Sequence, residues 1–544
     1  MAMKKYIYIA LLAVVSASCS LEETRDGFVD RAAAYDTKDQ AQAVVNKCYT
    51  YLNNFITTNF GLMVEACTDL WYCSTSTVDA SLNINPNNPG VGSSIWNNCY
   101  AAVMCCNEAI ECINVSENIS DEDKGPLQAE ARVLRALYYY YLTNTFNGVP
   151  FYTHMVADRE TQDAIQLLPR TDANVIRQAL YEDLRDNALP YFTEKNGLKK
   201  RPSEIAGNRA GYALSLMLMA KFCMWTGEWK DAISALTELE DLYLEFSEER
   251  YPLEETLWNT KNTAESIFEL QHSWSVSGVQ YSSSYGRATL PAYSGESIFD
   301  GIYMPELGEN LASWATFRTN HRFLNPSAEL DQSAIFNNPP LVVSPVDGKI
   351  YLDRYAIETG EVRGEKLDRR AALAVGLGKI ETGETFNKVK EGSYCHAGPK
   401  LWCVGMVSSY DSNNYKLFRY ADALLMMAEC YIEYNGDLAM ANYYLNKTRT
   451  RAGLDAVDFA DRLDLERELR AERARELGGE LHRKYDLVRW GIWYTETSTH
   501  NKYNVLKSNI RPWHEYYPIP DTECALSNYI LTNDAYDKGM SNVE

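Results

Sequence analysis

The sequence predicts a mostly α-helical protein of stacked helix pairs, with an irregular, loop-rich subdomain that carries short strands. Residues 37–244 and 416–544 place apolar side chains at the three- and four-residue spacing of amphipathic helices. Between them, residues 245–415 lose this spacing and are punctuated by Gly, Ser, Asn and Pro. At 46% apolar side chains in 544 residues, the chain can bury a large core and is far too apolar for a disordered protein.

The charge balance excludes some classes of partner. The chain has 52 Lys and Arg against 74 Asp and Glu, which gives a net charge of −22. A negative field of this size repels phosphate backbones, so we expect no nucleic-acid partner. It also disfavours electrostatic binding to anionic lipid, so attachment to a membrane would need another device. The surface suits neutral ligands better than polyanions.

The first 36 residues predict export and a lipid anchor. Residues 1–18 combine two lysines with an apolar run too short to span a bilayer, which is typical of a signal peptide. Small residues directly before Cys19 resemble a lipobox, although Ser16 stands where Leu is usual, so we expect lipidation of Cys19. The alternative is an ordinary signal peptide cleaved near Ala17. Residues 19–36 would then tether the lipidated Cys19 to the folded body.

The N-terminal helical region, residues 37–244, is the more regular part of the prediction. Its clearest helix includes residues 127–142, where Tyr138 and Tyr141 continue an apolar stripe. Further helices are expected near residues 38–54, 95–117, 173–189, 208–226 and 229–241. In the loop-rich subdomain, short extended segments such as SIFELQH (266–272) and KIYLDRY (349–355) predict small strands.

Two segments look like copies of one helix–turn–helix unit. Each has small residues where two helices would cross and a glycine in the turn between them: Ala220, Gly227 and Ala232 in one, and Ala428, Gly436 and Ala441 in the other. This is the pattern of a tetratricopeptide unit, which cannot bury its apolar face alone and must stack on a neighbour.

Several blocks carry a family resemblance. They are EARVLRALYYYYLTNTFNGVPF (130–151), RYADALLMMAE (419–429), Arg451-Ala452-Gly453, LERELRAERARELGGELHRKYDLVRWG (465–491) and Tyr517-Pro518-Ile519-Pro520. In this order and spacing they resemble the SusD/RagB family of nutrient-binding outer-membrane lipoproteins. The resemblance spans nearly the whole chain, is strongest in the C-terminal region 416–544, and is weakest between about 270 and 415.

The resemblance implies a fold and a function. It implies a SusD-like scaffold of about four tetratricopeptide-like helix pairs, with a variable loop-rich region on one side. It also implies a lipid-anchored protein on the outer face of the outer membrane. There the protein would capture glycans, or sometimes peptides, and deliver them to a SusC-like TonB-dependent transporter. The family is not enzymatic.

The residues themselves give no catalytic pattern. The sequence contains no HExxH, Gly-x-Ser-x-Gly or GxxxxGK[ST] motif and no calcium-binding loop of the EF-hand type. The run 465–476 is rich in Glu and Arg, and it spaces Glu466 from Arg470 and Arg473 from Glu476 by one helical turn. That spacing predicts a solvated or bundle-bridging face. We therefore predict no catalytic residue, no metal-ligating residue and no cofactor, and the presence of a structural cation in the loops stays open.

Two segments outside the strong helices carry the side chains that bind sugars. Tyr and Trp stack on the C–H faces of sugar rings, while Asp, Asn and Arg form hydrogen bonds with hydroxyl groups. Segments 67–90 and 274–322 are rich in both kinds. The predicted ligand-binding residues are Asp69, Trp71, Tyr72, Trp274, Tyr285, Arg287, Tyr293 and Trp314. Each aromatic ring could instead pack in the interior, as we expect for Trp96, Trp490 and Trp493.

The predicted function is therefore glycan capture by a surface lipoprotein, and two other classes remain open. A lipid-anchored glycoside hydrolase would need two carboxylates that face each other across a cleft, which a sequence alone does not place. A tetratricopeptide adaptor for peptides or proteins would need an apolar groove and no ligand aromatics between residues 245 and 415. The aromatic, Asn-rich loops favour glycan capture.

Overall fold

The computed structural model describes the two helical regions almost throughout and the part between them in short pieces. The described residues are 32–73, 75–253, 260–273, 282–290, 293–294, 297–298, 302–307, 316–319, 341–353, 359, 361–362, 365–366, 368–370, 380–381, 388–389, 399–401, 410 and 412–538. The predicted signal peptide (1–18), Cys19, Trp274 and Trp314 lie outside them.

Helices make up most of the described chain. They are α1 (Lys38–Phe55), α2 (Thr58–Gly61), α3 (Val78–Ser81), α4 (Val91–Val115), α5 (Asp121–Phe146), α6 (Arg159–Gln166), α7 (Ala173–Asn187), α8 (Tyr212–Thr226), α9 (Trp229–Glu240), α10 (Tyr285–Thr289), α11 (Tyr420–Tyr434), α12 (Leu438–Arg451), α13 (Arg462–Leu477), α14 (Arg483–Arg489), α15 (Trp493–His500), α16 (Asn504–Asn509), α17 (Asp521–Leu526) and α18 (Asp534–Lys538). A π-helical turn, Leu62–Ala66, follows α2. Within these described segments, none of the helices is long and apolar enough to cross a membrane.

The helices predicted in the N-terminal region are confirmed, with two shifted starts. The helix expected from about residue 95 is α4, which begins at Val91. We expected a helix from about residue 208, whereas α8 begins at Tyr212. Gly207 (φ +79°) and Asn208 (φ +50°) adopt left-handed backbone conformations, which an α-helix of L-residues does not tolerate. The turn at 207–208 therefore has to end before α8 starts.

The predicted helix–turn–helix copies are confirmed as well. α8 packs on α9 across the turn at Gly227 (φ +80°), and α11 packs on α12 across the turn at Gly436 (φ +67°). The alanines predicted at the crossings are buried: Ala220, Ala232, Ala428 and Ala441. Because α9 also packs against α11, the two units stack on each other as tetratricopeptide-like pairs do.

Strands lie mainly between the two helical regions. They are β1 (Trp71–Cys73), β2 (Ser266–Leu270), β3 (Tyr293–Ser294), β4 (Ser297–Ile298), β5 (Ile302–Tyr303), β6 (Phe317–Thr319), β7 (Leu341–Val343), β8 (Ile350–Leu352), β9 (Glu361–Val362), β10 (Glu365–Lys366), β11 (Ile380–Glu381), β12 (Lys388–Val389) and β13 (Tyr415–Arg419). β2 and β8 confirm the two strands predicted from sequence.

The strand pairings connect the loop-rich part to the helical body. β3, β4, β5, β8 and β7 form one sheet in that order, parallel between β5 and β8 and antiparallel elsewhere. β13 pairs antiparallel with β2 and leads directly into α11, where Tyr420 N donates a hydrogen bond to Glu265 O at 2.9 Å. The end of the loop-rich part is thereby joined to the C-terminal helices.

The charged side chains of α13 bridge the helices. Glu476 is buried and contacts Arg419 of β13 at 2.6 Å, and Arg473 contacts Asp422 of α11 at 2.9 Å. These two residues therefore pair with other elements of the fold. Of the two predictions for this face, bundle-bridging is confirmed and solvation is wrong for Arg473 and Glu476, because both side chains are shielded from water.

Candidate functional site

A two-stranded ribbon brings the two predicted ligand segments together. β1 belongs to segment 67–90 and β6 to segment 274–322, and they pair antiparallel with Tyr72 opposite Arg318. α10 lies against β6. We call this group of elements, β1, β6 and α10, the ribbon site. It holds or adjoins Asp69, Trp71, Tyr72, Tyr285 and Arg287, all of which were predicted as ligand residues.

Trp71 packs into the interior of the ribbon site. Its side chain is 3% exposed, and its ring lies 6.5 Å from the Tyr285 ring at 30° and 5.3 Å from the Phe317 ring. Tyr285 is buried too, and its hydroxyl donates a hydrogen bond to Gly479 O at 3.3 Å. In this conformation both rings are covered by protein on their faces, and they hold the ribbon against the helical body.

Asp69 is held by a cation from the other end of the chain. Its Oδ1 and Oδ2 accept hydrogen bonds from Nε and Nη2 of Arg483, at 2.9 and 2.7 Å. The Asp69 side chain is 1% exposed, so this two-pronged pair is buried. Because burial opposes the charge of Arg483 but Asp69 favours it, the pKa of Arg483 is raised. The pair ties the start of β1 to α14.

The opposite face of the ribbon carries polar groups. Because successive side chains of a strand alternate between faces, Tyr72 and Arg318 project away from the side on which Trp71 packs. Tyr72 is 6% exposed, while Arg318 and Arg287 are half-buried. Burial lowers the pKa of Arg287, and Tyr410 raises it. This face therefore combines the Tyr72 ring with the Arg318 guanidinium, and Arg287 lies on α10, which packs against β6.

Three predicted ligand residues belong to segment 274–322 but not to the elements of the ribbon site. Tyr293 has its backbone in β3, while Trp274 and Trp314 lie outside the described residues. Their contact with a ligand stays a prediction.

A buried acid lies beneath the ribbon site. Glu65, in the π-helical turn that packs on β1 and β6, is fully buried and accepts a hydrogen bond from His482 N at 3.1 Å. Burial raises the pKa of Glu65 to about 7. A raised pKa suits a general acid, but this carboxyl has no exposed surface from which to reach a glycosidic oxygen. Its role is therefore in the interior of the protein.

The part of the chain that the structure describes contains no candidate metal site. No group of three or more His, Cys, Asp and Glu side chains in those segments could hold an ion.

The sequence offered no signal for the residues that fix the ribbon. Arg483 lies 414 positions from Asp69, and Gly479 is likewise remote from the rings that it contacts. The run 465–491 carries a family motif and many charges in the sequence. Its packing against β1 is visible only in the structure. The pairing of β1 with β6 is equally invisible in a linear sequence.

Two family models match the chain. The one described as "SusD family" matches residues 405–536, and the one described as "Starch-binding associating with outer membrane" matches residues 32–206. A SusD-like protein of Formosa agariphila is 26% identical over 464 residues, which are 82% of this chain and 79% of the relative.

Solved structures share the fold. A SusD homolog from Bacteroides thetaiotaomicron has a TM-score of 0.68 at 18% identity and covers 93% of this chain and 98% of its own. Surface glycan-binding protein A from Bacteroides thetaiotaomicron, solved in complex with laminarihexaose, has a TM-score of 0.63 at 18% identity. The match covers 91% of this chain and 99% of that protein.

The fold defines a protein built on stacked helix pairs. The matches at both ends of the chain make the family plain: the chain belongs to the SusD/RagB family, as a SusD-like protein. This is a family of glycan-binding proteins and not of enzymes, and the family description supports association with the outer membrane.

Proposed function

We propose that this protein is a cell-surface lipoprotein that captures an oligosaccharide or polysaccharide and delivers it to a SusC-like TonB-dependent transporter. The observation that carries the proposal is the ribbon site. It joins two aromatic and polar segments at one place on a SusD/RagB scaffold. A lipid-anchored hydrolase or a peptide adaptor has no comparable support from the described residues.

A neutral glucan is the ligand class that we propose. The net charge of −22 disfavours polyanions. One family match is described as starch-binding, and a protein of the same fold was solved with laminarihexaose. Starch and laminarin oligosaccharides are therefore the first candidates.

Within the ribbon site we assign two kinds of role. Arg287 and Arg318, which are half-buried, would donate hydrogen bonds to sugar hydroxyls. Trp274, Tyr293 and Trp314, which are not part of the three elements of the ribbon site, would offer stacking faces from segment 274–322. Since their side chains are covered, Asp69, Trp71, Tyr72 and Tyr285 would act as positioning residues that hold this surface in place. The sequence predicts these four residues as ligand residues, and the stability of an Asp69→Asn variant separates the two roles.

The lipid anchor is tested by one substitution. Cys19→Ala removes the thiol that would be acylated, so the variant should leave the membrane fraction when the full chain is produced in a bacterium that lipidates exported proteins. Cys112→Ala, outside the leader, is the matched control and should stay in the membrane fraction. Retention of Cys19→Ala in the membrane would contradict the anchor.

Glycan capture is tested with the mature chain, residues 20–544. Its migration in native gels that contain starch, laminarin or host glycans is compared with its migration in gels without glycan, and released reducing ends are measured in the same samples. We expect retardation by one glycan class without new reducing ends. Arg287→Ala and Trp274→Ala should reduce the retardation. New reducing ends would favour the hydrolase, and a chain that no glycan retards would favour a peptide ligand.

A further inference from the structure

A concave surface is formed by elements other than those of the ribbon site. It is a cleft of about 510 Å³ between α1, the turn at residues 206–209 and strand β2. Of the predicted ligand residues that the structure describes, none lines it. Its volume falls within the roughly 300–1,000 Å³ of small-molecule sites. We call it the α1–β2 cleft.

Carboxamide groups line this cleft from both sides. Gln42, Asn46 and Asn53 share one face of α1, and Asn208 and Gln271 lie across from them. Gln42 donates hydrogen bonds to Asn46 and Glu130, and Gln271 is bonded to Asn262 and Asn414, so the carboxamides that a ligand would meet are those of Asn46 and Asn208. A carboxamide offers one acceptor oxygen and two N–H donors, so it can both accept a hydrogen bond from a sugar hydroxyl and donate one to it.

The charged groups of the cleft are already paired. Arg209 donates a hydrogen bond from Nε to Oε1 of the buried Glu130 at 2.9 Å and a second from Nη2 to Oε2. Glu269 Oε2 accepts hydrogen bonds from Asn262 N at 2.8 Å and Asn414 Nδ2 at 2.9 Å. Because both charges are engaged within the protein, the cleft fits a neutral ligand better than an ion.

An aromatic ring at the side of the cleft is held rigidly. The Tyr49 hydroxyl donates a hydrogen bond to Glu130 Oε1 at 2.5 Å and accepts one from Ala210 N at 2.8 Å. Its ring stacks on Phe268, with centroids 6.3 Å apart and planes at 28°. Tyr49 is half-buried, so part of the ring remains open to the cleft. A fixed ring loses little conformational entropy when a sugar packs on it.

From this combination we infer that the α1–β2 cleft binds a segment of a neutral oligosaccharide, as a second contact separate from the ribbon site. The inference rests on the proposed function, because it requires that the protein bind neutral glycans. The cleft would be a second glycan-binding site, which neither the sequence motifs nor the predicted ligand segments indicate.

The test compares cleft and control variants of the chain 20–544. Asn46→Ala and Asn208→Gly each remove one carboxamide from the cleft, with Gly chosen at position 208 because the backbone there has φ +50°. Asn97→Ala removes an exposed carboxamide from α4, outside the cleft. Each protein is titrated with laminarihexaose and with maltohexaose by calorimetry. For the probe that binds, we expect the Kd to rise about threefold to tenfold in each cleft variant, the size of one lost hydrogen bond. The Asn97→Ala Kd should not change.

The outcomes separate this inference from the proposed function. If Arg287→Ala weakens binding while both cleft variants bind as the unaltered chain does, the cleft inference fails and glycan capture stands. If neither probe binds the unaltered chain, both fail for neutral glucans. If the cleft variants keep their glycan affinity but lose affinity for the transporter, the cleft is a protein interface and the inference is wrong.

Discussion

At the scale of single residues, a buried pair of opposite charges fixes the entrance to β1. Arg483 donates hydrogen bonds of 2.9 and 2.7 Å to the Asp69 carboxylate, and both side chains are shielded from water. Such a pair adds little net stability when intact, since each ion had to leave water. Removing one partner is costly, because the other charge stays buried without compensation. Asp69 therefore positions the ribbon through Arg483.

The first prediction is that Asp69→Asn destabilises the fold. It leaves the Arg483 guanidinium buried without its counter-charge, and we expect the free energy of unfolding to fall by about 3–5 kcal/mol, measured by urea denaturation. Asp186→Asn is the matched control: its pair with Arg185 is exposed, so we expect little change. An Asp69→Asn protein with unchanged stability that is no longer retarded by glycan would make Asp69 a ligand residue, as the sequence predicts.

At the scale of elements, the turn between α13 and α14 supports the ribbon. Gly479 in that turn has φ +82°, and a Cβ atom there would lie 2.7 Å from the Trp71 ring. The Gly479 carbonyl also accepts the hydrogen bond of Tyr285. The C-terminal family region thus packs directly on the ligand segment from the N-terminal half. A glycine at this position allows both the left-handed backbone and the close approach of the indole.

The second prediction separates these two requirements. In Gly479→Ala the new Cβ sits on a left-handed backbone and also clashes with the Trp71 ring. In Gly491→Ala the backbone is left-handed too (φ +68°), but no atom lies within 4 Å of the new Cβ. We expect Gly491→Ala to lower the free energy of unfolding by about 1–2 kcal/mol, for the backbone alone. Gly479→Ala should lower it by about 1–3 kcal/mol more, because the packed ring has to move. If urea denaturation gives the same loss of unfolding free energy for both variants, the Trp71 ring moves aside at no cost and does not stabilise the ribbon.

At the scale of the whole molecule, local patterns and long-range contacts differ in what a sequence reveals. The helices and the paired units around Gly227 and Gly436 were predictable, because their spacing is written in neighbouring residues. The pairing of Tyr72 with Arg318, the bond of Asp69 to Arg483 and the α1–β2 cleft were not, since each joins distant parts of the chain. The chemistry of the ribbon site was therefore foreseeable residue by residue, and its burial was not.

Buried titratable groups also make the stability of the whole fold depend on pH. Burial lowers the pKa of His272 and His482 to about 4 and that of His514 to about 3, from 6.5. Between pH 6.5 and 4 the unfolded chain therefore binds more protons at these three sites than the folded chain does, which lowers stability as the pH falls. Glu65 acts in the opposite direction: its pKa of about 7 in the fold lies above the ordinary 4.5, so acidification favours the folded state at this one group.

The third prediction is that the three histidines outweigh Glu65. We expect the free energy of unfolding to be highest near neutral pH and to fall between pH 6.5 and 4.5, in urea denaturation series at matched ionic strength. Below pH 4.5 the fall in stability should steepen because of Glu472. Burial alone would raise the pKa of Glu472, but Arg370 and Arg475 lower it to about 2. This carboxylate therefore stays charged in the folded chain at a pH where the unfolded chain takes up a proton. Burial also raises the pKa of Asp79, Glu468 and Glu523, which act in the same direction as Glu65. Glu65→Gln removes one of these opposing groups and should make the fall between pH 6.5 and 4.5 steeper, whereas Glu160→Gln, on the exposed helix α6, should leave it unchanged. A stability that stays level or rises from pH 6.5 to 4.5 in the unaltered chain would mean that the three imidazoles take up protons inside the fold, and that they are not sealed in its core.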